Sequence, residues 1–195
     1  MHDTPASSPP TRLPAIEPKH YSVAQRDAAD RLASGPRGEL RGPFVPMLHS
    51  PAFLDRAQQL GEYLRFGCLI PQRPRELAIL IAARHWSQAY EWHVHAPLAA
   101  RAGVTPATLT ALANGETPSS LTADEQAVYD FCTELHRRQN VSDAGYAAAQ
   151  ARFGHAGIVD LCGLCGYYAM LAMLLNVAGR PLPDGATPFA VPQAP

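Results

Sequence analysis

The stretch Glu76-LAILIAARHWSQAYEWHVHAPLAARA-Gly103 decides how this chain is read. His85 and Trp86 mark the end of one helix. A second helix over residues 88 to 96 places Gln88, Glu91, Trp92 and His95 at i, i+3, i+4 and i+7, on one face. Tyr90 and His93 fall elsewhere. Glu91 and His95 are then one turn apart, close enough for a carboxylate to hydrogen-bond an imidazole. That makes them a candidate acid/base pair, although such a pair is by default a solvated surface contact worth about 0.3 kcal/mol. Trp92 reads as a packing residue as readily as a substrate platform. Pro97 removes an amide from the helix ladder and predicts a kink beside the pair.

Working outward, the punctuation is helical from end to end. Ser50 with Pro51 fits an N-cap and first-turn proline, opening a helix expected to carry Phe53, Leu54, Ala57, Leu60 and Leu64 inward. Thr105 with Pro106 repeats the device, with a stop near Gly115. Thr122 and Glu125 form a T-x-x-E capping box ahead of the amphipathic run from Ala127 to Arg138. Ser142 opens a helix closed by Gly154. No stretch alternates apolar and polar residues for long enough to suggest a sheet. The reading is an all-α bundle of about seven or eight helices joined by short connections. One irregular internal loop, Ser34 to Pro46, is rich in glycine and proline.

The 195 residues are 47% hydrophobic, enough for one sizeable core. The expected division is a proline-rich flexible arm over residues 1–20, a single helical domain over 21–180 and a proline-rich tail over 181–195. The formal net charge of −1, without a run of Lys and Arg, leaves no footprint for nucleic acid or an anionic membrane. A small neutral or acidic ligand fits better. The start of the chain lacks the apolar centre of a secretory signal. The apolar run Leu161 to Val177 falls short of the roughly 20 residues that span a bilayer and reads as a buried helix. With few polar positions on any face, part of it is expected to lie in a subunit interface. The four cysteines are expected to be reduced thiols in the cytoplasm.

From about Arg75 to Gly103 the sequence resembles the carboxymuconolactone decarboxylase family, which includes the alkylhydroperoxidase D-like proteins. Leu64-Arg65 and Gly166-Tyr167-Tyr168 agree loosely. The peroxidase branch carries E-x11-C-x2-C-x3-H. Laid on this chain, its glutamate falls on Glu76 and its histidine on His95, while the cysteines fall on Gln88 and Glu91. Neither an amide nor a carboxylate can attack an O–O bond and resolve a sulfenic acid, so the thiol mechanism is disfavoured at this position. The resemblance to the decarboxylase branch instead implies cofactor-free acid/base chemistry on a small carboxylated or lactone-type metabolite.

The sequence-level site is therefore Glu76, Glu91 and His95 as catalytic groups, with His95 as proton donor. Arg84, Gln88 and Trp92 are the substrate-binding candidates. Arg73 and Arg75 are equally available as carboxylate clamps. No spacing demands a metal, and no cofactor is expected. The resemblance implies a homotrimer or homohexamer with the site near a subunit interface. Two alternatives stand beside this reading. One is an alkylhydroperoxidase-type enzyme using displaced cysteines, for which Cys162 and Cys165 form a C-x-x-C; their apolar context argues for raised thiol pKa values and a packing role. The other is a non-catalytic helical oligomer that binds a small ligand.

Overall fold

A computed structural model describes residues 12–179, together with Leu182 and Phe189. Most of the expected N-terminal arm and nearly all of the expected tail lie outside the described residues. Among the described residues a 3-10 turn, Pro18–His20, leads into eight α-helices: α1 (Val23–Ser34), α2 (Phe44–Met47), α3 (Pro51–Glu62), α4 (Gln72–His85), α5 (Ala89–Arg101), α6 (Pro106–Asn114), α7 (Ala123–Arg138) and α8 (Asp143–Ala178). The described residues contain no strand, and the all-α expectation holds.

Helix starts follow the caps written in the sequence. The Thr105 hydroxyl accepts from the Thr108 amide and Gly115 ends α6 in the left-handed conformation. Thr122 and Glu125 satisfy each other's backbone amides at the start of α7. Ser142 caps α8, and Gly154 interrupts that helix with φ 66° and ψ −179° before it resumes. A residue with a β-carbon adopts such angles only at a cost, so glycine ends the first part of α8 as expected.

The core is organised around α4. Leu77, Ile79, Leu80 and Ala82 are all fully buried, and α4 packs against α5, α7 and α8. By length and composition alone, α8 is long and apolar enough to cross a membrane. Leu161, Leu164, Leu171 and Leu175 nevertheless lie in the core. Its cover is incomplete, because Val159, Met173 and Val177 are exposed.

One inward face is corrected. In α3, Leu54 and Ala57 are buried, and Leu64 just after it, but Phe53 is 46% and Leu60 is 48% exposed. The buried stripe instead includes Gln58 and Gly61. The helix carries apolar residues on two faces, and periodicity alone does not say which one meets the core.

Between α3 and α4 the chain makes a π-helical turn, Tyr63–Gly67. The carboxylate of the buried Asp160 on α8 holds it: one oxygen accepts from the Tyr63 hydroxyl and the other from the Leu69 amide, both at 2.8 Å. This turn aims Leu64 into the core and Arg65 at the cavity described next.

Candidate active site

Glu76 lies on the second turn of α4, and Glu91 and His95 on α5. All three are 3% exposed, so the default of a solvated Glu91–His95 contact is overturned. His95 Nδ1 and Glu76 Oε2 are 2.7 Å apart. An ionised carboxylate can only accept, so the imidazole donates its Nδ1 proton to Glu76. That fixes the tautomer and turns Nε2 toward Glu91, whose Oε2 is 3.6 Å away. The Tyr168 ring meets the imidazole edge-on at 5.2 Å.

Burial pushes the Glu91 carboxyl up from its ordinary range, against the opposing pull of His95, Arg37 and Arg65. Glu91 Oε1 is buried without a hydrogen-bond partner. Because the two carboxylates sit on opposite nitrogens of one ring, they cannot close on a common ion. Among the described residues no three His, Cys, Asp or Glu side chains are placed to hold a metal.

His95 and Glu91 border a cavity of about 40 Å³ that is also lined by Arg37, Arg41, Phe44, Arg65 and Tyr168. These arginines come from the loop after α1 and from the π turn. Burial pushes the phenols of Tyr168 and its neighbour Tyr167 up, Tyr167 to about 12, so both keep their protons. Sequence spacing did not single out Arg37, Arg65 or Tyr167 as site residues, since no local pattern links them to α5. The loosely matching Leu64-Arg65 and Gly166-Tyr167-Tyr168 were the only signals.

The three residues expected to bind substrate are placed differently. Gln88 is the N-cap of α5: its carbonyl accepts from the Tyr90 amide at 2.7 Å and its amide donates to Asn176 at 2.7 Å. Trp92 is buried against Phe189, edge to face at 5.4 Å. Arg84 donates to the Ala113 carbonyl at 3.0 Å and lines a separate cavity of about 330 Å³ with His85, His136 and Arg137. The other two arginines are engaged as well. Arg73 grips Glu125 through two bonds of 2.8 and 2.9 Å, and Arg75 donates to the Ile70 carbonyl at 3.4 Å.

The cysteines also depart from expectation. Cys162 is exposed, and burial of its surroundings pushes its thiol up. Cys165 goes the other way: a hydrogen bond from Cys132 on α7, helped by His136, outweighs burial and pulls it down to about 6. Cys132 is pushed up by the same contact. The sequence could not show this, because the partners of Cys165 lie on another helix.

Fold and site together define an all-α bundle that buries a carboxylate–imidazole pair beside a small, arginine-lined cavity. Residues 51–134 match the model of the carboxymuconolactone decarboxylase family. The match holds Glu76, Gln88, Glu91 and His95, and leaves Arg37 and Tyr167 outside it. No curated protein and no solved structure matches the chain.

Proposed function

We propose that the protein is a cofactor-free acid/base enzyme of the decarboxylase type, a carbon–carbon lyase acting in the cytoplasm on a small carboxylated or lactone-type metabolite. The observation that carries this reading is the buried 2.7 Å Glu76–His95 bond, which leaves Nε2 facing Glu91 and the cavity. In the reaction the carbon–carboxylate bond breaks, CO2 leaves, and the electron pair delocalises into the adjacent unsaturated lactone. A proton drawn from water is relayed through His95 Nε2 to that carbon, while the Nδ1 proton stays bonded to Glu76. Glu76 keeps the ring oriented, and Glu91 presents a second carboxyl, raised by burial, beside it. The position where the peroxidase branch has its first cysteine is a helix N-cap, where free amides stabilise a thiolate. A carboxamide caps there instead.

Self-association as a trimer or hexamer belongs to the same proposal. Phe53, Leu60, Phe66, Val159 and Met173 form exposed apolar surface on α3, the π turn and α8 that a second copy would cover.

The test assays CO2 release from carboxymuconolactone-like acids by wild type, Glu76→Gln and His95→Ala. Release abolished by both substitutions supports the reading; equal activity in all three removes the site. A second reading, a thiol peroxidase using displaced cysteines, is favoured by the Cys132–Cys165–His136 contacts. Peroxide consumption with a dithiol donor, lost in Cys165→Ser and kept in His95→Ala, would establish it in place of the first.

A further inference from the structure

The cavity of about 330 Å³ lies where the last turns of α4 and α6 meet the second half of α7. It shares no lining residue with the cavity beside His95. Arg84 is two turns past Glu76, about 12 Å farther along α4. The Glu76–His95 pair therefore makes no use of this space, although it is much the larger of the two.

Its lining is of two kinds. Ile81, Leu112 and Tyr129 are buried and apolar. Arg84, Arg137, His85 and His136 bring nitrogen donors. Arg84 is held ready: Nε donates to the Ala113 carbonyl at 3.0 Å, and the Phe189 ring lies 5.1 Å from Cζ. A Cβ on Gly115 would stand 3.3 Å from Arg84 Nη2, so the glycine leaves the end of the fork uncovered. Among the described residues neither Arg84 nor Arg137 has a carboxylate partner. The one carboxylate in the lining, Glu116, is exposed and accepts from Asn114 at 3.5 Å. The His85 and His136 rings stack at 4.9 Å. Desolvation pushes the His85 imidazole down, and His136 and Arg137 push it further, as expected where positive charge is unbalanced. The His136 ring helps to pull the Cys165 thiol down, yet its Nε2 is buried with no hydrogen-bond partner. Buried polar atoms are nearly always paired, so this wall has unused capacity.

Small-molecule sites begin near ~300 Å³, and an apolar cavity of ~150 Å³ already takes up benzene. A volume of about 330 Å³ thus holds one ring together with a charged group. We propose that this cavity is a second binding site, for an amphipathic anion whose flat apolar body lies against Ile81, Leu112 and Tyr129 and whose head is held by Arg84 and Arg137. Aryl carboxylates and aryl phosphates share that chemistry, and a guanidinium fork fits either head.

The test titrates the full-length protein with benzoate and phenyl phosphate by calorimetry. Benzyl alcohol supplies the ring without the charge, and inorganic phosphate the charge without the ring. At least one aryl anion is expected to bind in roughly the 0.1–1 mM range, reasonable for so few atoms, and about tenfold tighter than either control. Arg84→Gln should weaken it about tenfold. Arg137→Gln should weaken it about threefold, less because this guanidinium is exposed. Arg84→Lys should fall between wild type and Arg84→Gln, keeping the charge without the planar fork. Arg138→Gln makes the same charge change one residue on, and Arg65→Gln makes it in the cavity beside His95; both should leave affinity unchanged. Should Arg84→Gln fail to fold for want of the Ala113 bond, Arg137→Gln carries the comparison. Tighter binding of one aryl anion than the other supports the site and names its head group. The site is overturned if neither aryl anion binds better than the controls, or if Arg84→Gln and Arg137→Gln leave affinity unchanged. It is equally overturned if Arg138→Gln or Arg65→Gln weakens binding as much as Arg137→Gln. Binding is read without turnover, so the result stands apart from the fate of the proposed reaction.

Discussion

Gln88 and Asn176 meet through a 2.7 Å hydrogen bond that ties the start of α5 to the far end of α8, and Asn176 in turn donates to the Trp86 carbonyl at 2.9 Å. The side chain standing where the peroxidase branch of the family has a cysteine is thus a structural brace. Gln88→Ala removes both the brace and the α5 cap, and should cost about 1–2 kcal/mol in urea unfolding. Asn176→Ala should be strongly non-additive with it in a double-mutant cycle; simple additivity would show that the brace is not a unit.

Placing cysteines at both departures tests what the departures removed. Gln88→Cys with Glu91→Cys puts two thiols at i and i+3, the first at the α5 N-cap, where helix amides lower a thiol pKa. The double variant should form a peroxide-dependent disulfide that neither single variant forms. Its absence under conditions where thiol counting shows both cysteines accessible would refute a preserved peroxidase geometry.

Glu91 gives a pH signature. Its carboxyl lies above the ordinary value of 4.5 in the folded state, first because it is buried. Its contribution to stability is therefore full below about pH 4.5 and falls as pH rises toward the folded value. Glu91→Gln should melt at a higher temperature than wild type near neutral pH, with the gap closing toward pH 4. A gap that widens on acidification contradicts the burial assignment.

Glu125 has the opposite sign. Burial opposes its charge, but Arg73 and the amide and hydroxyl of Thr122 outweigh it and hold the carboxyl below 4.5. This stability is present above that pH and lost on acidification. Arg73→Ala should cost about 2 kcal/mol at pH 7, less than the ~3–5 kcal/mol of a fully buried pair, because the Arg73 side chain is 33% exposed. Equal loss at pH 3 and pH 7 would show that the ion pair is not its source.

Gly61→Ala weighs two effects. Alanine in a helix interior gains about 1 kcal/mol over glycine. Its Cβ would meet the ring and hydroxyl of buried Tyr167 at 2.4 and 2.0 Å, and overpacking of this kind costs ~1–3 kcal/mol. The clash should win, lowering the melting temperature. A stabilised variant would show that the Tyr167 ring is free to move.

What could be read from the sequence was local. The Thr122–Glu125 box, the Thr105 and Ser142 caps and the Gly115 and Gly154 stops are each set by residues within one or two turns, so their letters suffice. The clustering of Glu91 and His95 followed from helical spacing, and the contact with Glu76 from the resemblance. The outward turn of Phe53 and Leu60 could not be read, because an apolar stripe facing solvent has the same period as one facing the core. Arg37 and Arg65 line the cavity, and Tyr167 lies beside Arg37; the three come from separate elements, and only the packing of those elements makes them neighbours.

The π turn at Tyr63–Gly67 works as a phase setter for Arg65. Each residue of an ordinary helix advances the side-chain direction by about 100°, and a π turn accommodates an extra residue before the following segment is reached. Deleting one residue ahead of Arg65 would rotate its guanidinium away from the cavity while leaving Glu76, Glu91 and His95 on helices of unchanged length. The Glu76–His95 pair and the arginine beside it are thus separable by a single-codon deletion, so the length of one turn alone sets whether a guanidinium faces the cavity while the buried pair stays in place.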